Sequence, residues 1–207
     1  MNKSINNNGH EYMDLDLPSG TLWATCNVGA KRSTDYGKYF QWGDTKGYTK
    51  DQVGKDKQFN WDDYKWYLSG KEDDGSLKYK KYTNSGDTLE LEDDAAHVHM
   101  GGDWHMPSPE QISELINNTT SEWTSFYGVN GMIFTSKKDA SKSIFIPAAG
   151  YAWDDIVGYY GLYGYIWSSM LSAEDANYGQ YLNFNLGYVY LYDYKCYYGR
   201  SIRGVIG

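Results

Sequence analysis

The stretch that decides the fold is residues 181–194, which read YLNFNLGYVYLYDY. Tyrosine and asparagine alternate there with mostly apolar residues on both sides of Leu186-Gly187. Successive side chains of a β-strand point to opposite faces of its sheet, so this spacing predicts two strands joined by a turn. One face of the predicted hairpin is apolar and can enter a core. It consists of Leu182, Phe184, Val189 and Leu191.

The other face of the predicted hairpin carries Tyr181, Asn183, Asn185, Tyr188, Tyr190, Tyr192 and Tyr194. Tyrosine offers a large amphipathic surface and immobilises only two side-chain torsions on contact. A second interpretation is that cross-strand tyrosine pairs simply stabilise the sheet, each by about 0.2–1 kcal/mol. Four alternating tyrosines beside two asparagines, without a balancing run of charges, favour an exposed binding face instead.

The composition agrees with many short strands and turns. The chain has 207 residues, enough for one large domain or two small ones, and 17% of them are aromatic. Thirteen of the 22 tyrosines fall within residues 151–198, and so high an aromatic content excludes disorder. We therefore expect a flexible arm over residues 1–11 and one domain over residues 12–207, with ligand display in about 151–203.

Charge and hydropathy exclude two kinds of partner. Lys and Arg number 19 against 27 Asp and Glu, and the resulting net charge of -8 repels a phosphate backbone. No apolar run approaches the roughly 18 residues of a membrane span, and the first residues lack the apolar region of a signal peptide. We expect neither nucleic-acid binding nor a membrane span.

The remaining elements favour an α+β class with short antiparallel strands, one or two helices and long loops. Ser108, Pro109 and Gln111 form a capping-box signal for a helix that ends at Asn117-Asn118. A hairpin-like opening is predicted over residues 14–28. A short helix is predicted over 89–97, strands over 129–135 and 143–147, and a closing strand over 199–205.

Five segments together resemble the large paralogous family of gut bacteria and their phages called the Fibrobacter succinogenes major domain. Some of its members are variable proteins of diversity-generating retroelements. The resemblance covers nearly the whole chain, from about Tyr12 to the C-terminus. The segments are 14–30 (DLDLPSGTLWATCNVGA), 35–43 (DYGKYFQWG), 91–107 (LEDDAAHVHMGGDWHMP), 146–151 (IPAAGY) and 161–169 (GLYGYIWSS).

The resemblance implies a C-type lectin-like fold whose ligand face comes from the C-terminal third. In retroelement variable proteins, error-prone copying of adenines changes Asn-type codons and so varies the ligand face. Diversification would explain Ile166 and Arg200, where the family usually has an aromatic and an apolar residue, but not Met170 and Gly204. The positions that match the scaffold are Trp167, Phe184, Gly187, Val189, Gly199 and Arg203.

The resulting expectation is a non-enzymatic receptor-binding or adhesin-type protein, without a cofactor, on a phage particle or bacterial surface. Its partner would be a protein or another cell-surface macromolecule, a glycan included. The predicted ligand-binding residues are Tyr160, Leu162, Ile166, Tyr178, Tyr181, Asn183, Asn185, Tyr188, Tyr190, Tyr192, Tyr194, Tyr197 and Arg200. Except for Tyr197, these residues match positions that are diversified in the variable proteins. Cys196 also matches such a position.

Two alternatives remain open at this point. The first is an enzyme related to the formylglycine-generating oxidases, which depend on cysteine and copper; Cys26 and Cys196 are the chain's only cysteines and neither has a histidine nearby in sequence. The second is a calcium-dependent glycan lectin, for which Trp61-Asp62-Asp63 and Trp153-Asp154-Asp155 offer oxygen ligands.

The histidines suggest a zinc site as a further candidate. A His97-x-His99 pair on a strand would point both rings to one side, with His105 nearby. The chain has no HExxH motif, and local hydrogen bonding accounts for such histidines equally well. We expect no metal site.

Overall fold

The computed structural model describes residues 5–72, 75 and 77–207. Strands hold 42% of the residues and helices 11%, so the protein is mostly β. The α+β class with a C-type lectin-like fold is therefore wrong. Two segments without a predicted strand account for much of the difference: the polar Thr119–Phe126 and the glycine-punctuated Tyr163–Leu171 both form long strands.

The described part of the chain contains two α-helices, α1 (Ala95–Met100) and α2 (Pro109–Asn118), and short 3-10 turns at Lys50–Gln52 and Leu91–Asp93. The strands are β1 (Ile5–Asn7), β2 (His10–Asp14), β3 (Leu22–Ala24), β4 (Tyr67–Lys71), β5 (Leu77–Tyr79), β6 (Thr119–Phe126), β7 (Val129–Ser136), β8 (Ser143–Pro147), β9 (Tyr151–Trp153), β10 (Ile156–Gly158), β11 (Tyr163–Leu171), β12 (Tyr178–Asn185), β13 (Tyr188–Lys195) and β14 (Val205–Ile206).

The strands pair antiparallel in several small sheets. The largest has the order β1-β2-β3-β14, so that the two ends of the described chain lie in one sheet. Two three-stranded sheets have the orders β6-β7-β8 and β11-β12-β13, while β4-β5 and β9-β10 are hairpins. Between the two three-stranded sheets lies a core that contains Phe134, Ile146, Leu182 and Phe184.

The predicted flexible arm is wrong from residue 5 onward, and residues 1–4 lie outside the described residues. β1 and β2 form a hairpin in which Asn6 is opposite Glu11. Its turn is Asn8-Gly9, with φ of 50° and 83°, the left-handed backbone that favours this dipeptide in two-residue hairpins. A polar composition misled the prediction, although the Asn-Gly signal was present.

The helix at residue 109 is confirmed. Ser108 Oγ accepts a hydrogen bond from the Gln111 amide (3.2 Å), and Gln111 Oε1 accepts one from the Ser108 amide (2.9 Å). Ile112 and Leu115 are buried in the core, as their spacing predicts. The strands predicted over 129–135 and 143–147 are also confirmed, as β7 and β8.

Two other predicted elements differ in extent. The short helix expected over residues 89–97 begins later, at Ala95, because Asp94 Oδ1 accepts from the His97 amide (2.9 Å) and caps it. The expected closing strand over residues 199–205 is irregular, and only Val205–Ile206 is a strand. Instead, the chain there exchanges hydrogen bonds with Phe40: the Phe40 amide donates to the Arg200 carbonyl (2.9 Å) and the Arg200 amide donates to the Phe40 carbonyl (3.0 Å).

Arg203 joins three separate parts of the chain. Its guanidinium is fully buried and donates to Asn27 Oδ1 (2.9 Å), the Ala24 carbonyl (3.0 Å) and the Phe145 carbonyl (3.2 Å). These bonds connect the C-terminal segment to β3 and to β8. Because the guanidinium satisfies buried acceptors, its removal leaves them without donors.

We expect Arg203→Met to lower the free energy of unfolding by on the order of 3 kcal/mol, since each buried acceptor that loses its donor costs about 1–3 kcal/mol. Urea unfolding followed by tryptophan fluorescence measures the change. Arg32→Met is the matched control and should leave the midpoint unchanged, because Arg32 pairs with Asp35 in solvent. Equal midpoints for the two variants would contradict this role of Arg203.

Candidate ligand-binding surface

The three strands β11, β12 and β13 carry the hairpin predicted from residues 181–194. The predicted alternation and turn are confirmed, since β12 and β13 pair from Asn185 with Tyr188 to Tyr178 with Lys195. Three rows of side chains cross one face of this sheet. From β11 to β13 the rows are Tyr163, Asn185 and Tyr188; Tyr165, Asn183 and Tyr190; and Trp167, Tyr181 and Tyr192.

The opposite face of the sheet enters the core. Leu182 and Phe184 are fully buried, and Val189 and Leu191 pack against the same cluster. Ile166 pairs with Leu182 on this face and is 1% exposed. The prediction that Ile166 contacts a ligand is therefore wrong, because its position in the pleat directs it inward.

Exposure of the tyrosine-bearing face rises from β11 to β13. Tyr188 and Tyr190 are each 37% exposed and Tyr192 is 52% exposed, whereas Tyr181 and Asn183 are at most 5% exposed. The expectation that the whole ladder is exposed is wrong for Tyr181 and Asn183. The physical reason is that the chain after β13 pairs with the edge of β11, where the Trp167 amide donates to the Ser201 carbonyl (3.1 Å), and the Arg200 side chain lies over the rings of Trp167 and Tyr181.

Two further predicted residues lie inside this covering segment. Arg200 is 2% exposed, and its guanidinium carbon lies 4.0 Å from the centre of the Tyr181 ring. Tyr197 is 8% exposed and packs against Trp61, with ring centres 4.7 Å apart. Neither side chain reaches the surface in this conformation, so a ligand could contact them only by entering between the rings, and their predicted ligand contact stays a prediction.

The other predicted residues reach solvent to different degrees. Tyr160 and Leu162 are exposed, whereas Tyr178, Asn185 and Tyr194 are half-buried. Asn185 stabilises the hairpin turn, because its Oδ1 accepts hydrogen bonds from the backbone amides of Gly187 (2.7 Å) and Tyr188 (3.1 Å).

Sequence reasoning missed Leu186 and Tyr159, which are 77% and 54% exposed. Leu186 borders a shallow depression of about 450 Å³ together with Leu162, Tyr163 and Tyr188. The signal was available, because a leucine at the tip of a two-residue turn has no core to enter. We define the exposed tyrosine patch as Tyr188, Tyr190, Tyr192, Leu162 and Leu186.

The phenol rings of the patch support one another. Tyr188 and Tyr190 stack with centres 4.6 Å apart, and Tyr190 meets Tyr192 edge-on at 5.7 Å. Burial among neighbouring rings raises the pKa of Tyr188 to about 12 and that of Tyr181 to about 12. Both hydroxyls are therefore neutral at physiological pH and can donate as well as accept hydrogen bonds.

The histidines do not have the arrangement that the zinc interpretation requires. His97 and His99 lie on helix α1, so side chains two residues apart do not share a face. His97 Nδ1 contacts the Trp104 carbonyl (3.1 Å) and His99 Nε2 contacts the Thr45 carbonyl (2.8 Å). His105 likewise contacts the carbonyls of Met106 and Gly207.

The acidic groups are engaged within the protein. Within the described ranges, Glu90, Glu92 and Asp93 form the group whose potential ligand oxygens lie together, and Lys81 Nζ reaches all three carboxylates at 2.7–3.2 Å. In the two Trp-Asp-Asp runs, Asp63 Oδ2 accepts from the Gln58 amide (3.2 Å) and Asp154 Oδ1 accepts from the Asn60 side-chain amide (3.4 Å). These contacts give Asp63 and Asp154 a structural role.

The cysteines differ in environment. Cys196 is 1% exposed, and burial raises the pKa of its thiol well above the usual range. A thiol with a raised pKa is a poor nucleophile, because the thiolate is the reactive form. Cys26 is half-buried two residues after β3, and both thiols are free.

No family model, curated protein or solved structure matches this chain. The resemblance to the Fibrobacter succinogenes major domain therefore stays a prediction. In the described part of the protein, no helix is long and apolar enough to cross a membrane.

Proposed function

We propose that this protein is a non-enzymatic recognition protein that binds its partner through the exposed tyrosine patch. The observation that carries the proposal is the run of three adjacent tyrosines, each more than a third exposed, on strand β13 at the edge of its sheet. The apolar residues of the same strand point to the core, so a functional demand on the outer face explains the tyrosines better than folding does.

The patch has the properties of a protein-binding surface. Its rings stand on a paired strand and stack on one another, so binding freezes few side-chain torsions and costs little entropy. Leu162 and Leu186 add apolar area beside Tyr188, while the phenol hydroxyls offer polar contacts at the rim. Aromatic anchors of this kind supply much of the binding energy in protein interfaces.

The partner we propose is a protein exposed on a cell surface, and the setting a phage particle or bacterial surface. We further propose that the patch is diversified. Side chains at Tyr188, Tyr190 and Tyr192 can change without altering the core, because the alternate positions Val189 and Leu191 hold the strand in place. Many different side chains can therefore occupy these three positions on the same backbone.

The double change Tyr190→Ala and Tyr192→Ala tests the binding face. Peptides enriched from a phage-displayed random library on the wild-type protein should bind the double variant about tenfold or more weakly, because two aromatic anchors are lost. Isothermal titration of synthetic versions of those peptides measures the affinities.

The matched control is Tyr127→Ala, since Tyr127 is 96% exposed in the turn between β6 and β7. It should leave peptide affinity unchanged, and all variants should still unfold cooperatively, the double variant at a lower urea midpoint because it loses the ring contacts of Tyr190 and Tyr192. Equal binding by the double variant, or a library that yields no enriched peptides, would count against the proposed face.

The coding DNA tests diversification. We expect a near-copy of the sequence encoding residues 160–200 beside a reverse transcriptase gene, with differences concentrated at adenines in the codons of Tyr188, Tyr190 and Tyr192. Sequencing the genomic neighbourhood and several isolates measures this. Isolates that are identical at these codons, without such a near-copy, would refute diversification and leave the binding experiment unaffected.

A further inference from the structure

Arg200 is a buried cation without a counter-ion. Its side chain is 2% exposed, and its Nε and Nη1 atoms are buried without a hydrogen-bond partner. Across the described residues, no carboxylate lies within 4.0 Å of it. A buried charge normally has a paired anion or a full set of hydrogen bonds, so Arg200 lacks a partner that its chemistry requires.

The other two arginines of the chain make the contrast plain. Arg203 is equally buried, yet each of its three nitrogens donates to an acceptor. Arg32 lies in solvent and is paired with Asp35 through both Nε (3.0 Å) and Nη2 (2.8 Å). Arg200 alone combines burial with unused donors.

Aromatic rings surround the Arg200 guanidinium. Its central carbon lies over the rings of Tyr181 (4.0 Å), Trp167 (4.3 Å), Tyr165 (5.4 Å) and Tyr198 (5.4 Å). Ring faces attract the cation, and the Tyr181 hydroxyl interacts with the guanidinium, but Nε and Nη1 remain without an acceptor. Burial lowers the pKa of Arg200, and the neutral phenol of Tyr181 supplies no negative charge.

The position of Arg200 connects it to the exposed tyrosine patch. Tyr181, which it contacts, meets Tyr192 of the patch edge-on, with ring centres 6.0 Å apart. Asn183, between Tyr165 and Tyr190 in the sheet, is also buried and interacts with the Tyr188 hydroxyl. The Arg200 guanidinium therefore lies beside the exposed tyrosine patch, one ring away from Tyr192.

We propose that Arg200 binds a carboxylate that the partner inserts between these rings; this inference rests on the proposed function. The half-buried Tyr198 ring lies 5.4 Å from the guanidinium carbon, and we place the entry of the carboxylate on this side. A carboxylate oxygen at this place can accept an N–H bond from Nε or from Nη1, the two donors that lack a partner. A phosphate dianion matches less well, because its larger charge costs more to desolvate in this apolar cage.

The side-chain Nε signals of a uniformly ¹⁵N-labelled protein provide the test, since the chain has only three arginines. Sodium acetate is the probe, and sodium chloride at equal ionic strength is the control. The Arg200 signal should shift and saturate with acetate on the order of 10 mM, while the Arg203 and Arg32 signals follow the chloride control.

Two carboxylate compounds test whether the partner's carboxylate belongs to a protein or to a glycan. N-acetylglutamate amide represents an acidic protein side chain, and N-acetylneuraminic acid represents an acidic glycan. The one that shifts the Arg200 signal at the lower concentration identifies the class of partner, and inorganic phosphate should be weaker than either. The Arg200→Met protein should retain the Arg203 signal and show no arginine signal that shifts with acetate beyond the chloride control.

An Arg200 signal that moves no further with acetate than with chloride would overturn the inference, as would an equal shift at Arg32. The result is separable from the proposed function. The Tyr190→Ala and Tyr192→Ala protein should keep its acetate response while it loses peptide binding. Peptide binding at the patch without an acetate response would reject the carboxylate site alone.

Discussion

The register of β12 against its two neighbours is the constraint on which the binding surface depends. Leu182 and Phe184 enter the core from β12, and Val189 and Leu191 join them from β13. Because side chains alternate, a slip by one residue would bury the tyrosines and expose the aliphatic residues. Core packing therefore fixes which face presents tyrosine, and it does so without using the patch residues themselves.

The second constraint is the segment that follows β13. It pairs with the edge of β11, and its Arg200 side chain lies over the rings of Trp167 and Tyr181, while the tyrosines of β13 reach solvent. The Arg200 backbone holds this segment through paired hydrogen bonds with Phe40. The same segment therefore places the Arg200 guanidinium beside the exposed tyrosines, with the Tyr181 ring between it and Tyr192.

The elements that were predicted correctly are those with a signal in a short stretch of sequence. The capping box at Ser108 and the alternation through residues 181–194 gave α2 and the β12–β13 hairpin correctly. The burial of Arg200 and Tyr197 depends on contacts with residues more than a hundred positions away, such as Phe40 and Trp61, and no local pattern encodes them. The strand content was underestimated for a related reason: Thr119–Phe126 is polar and gains its strand form from pairing with β7.

The most direct test of the account is the reactivity of individual tyrosine rings in solution. Hydroxyl-radical footprinting with mass-spectrometric sequencing reads each ring separately. The account predicts rapid oxidation of Tyr188, Tyr190 and Tyr192 and strong protection of Tyr165 and Tyr181. Oxidation of Tyr181 as fast as that of Tyr192, or protection of all five rings, would contradict it.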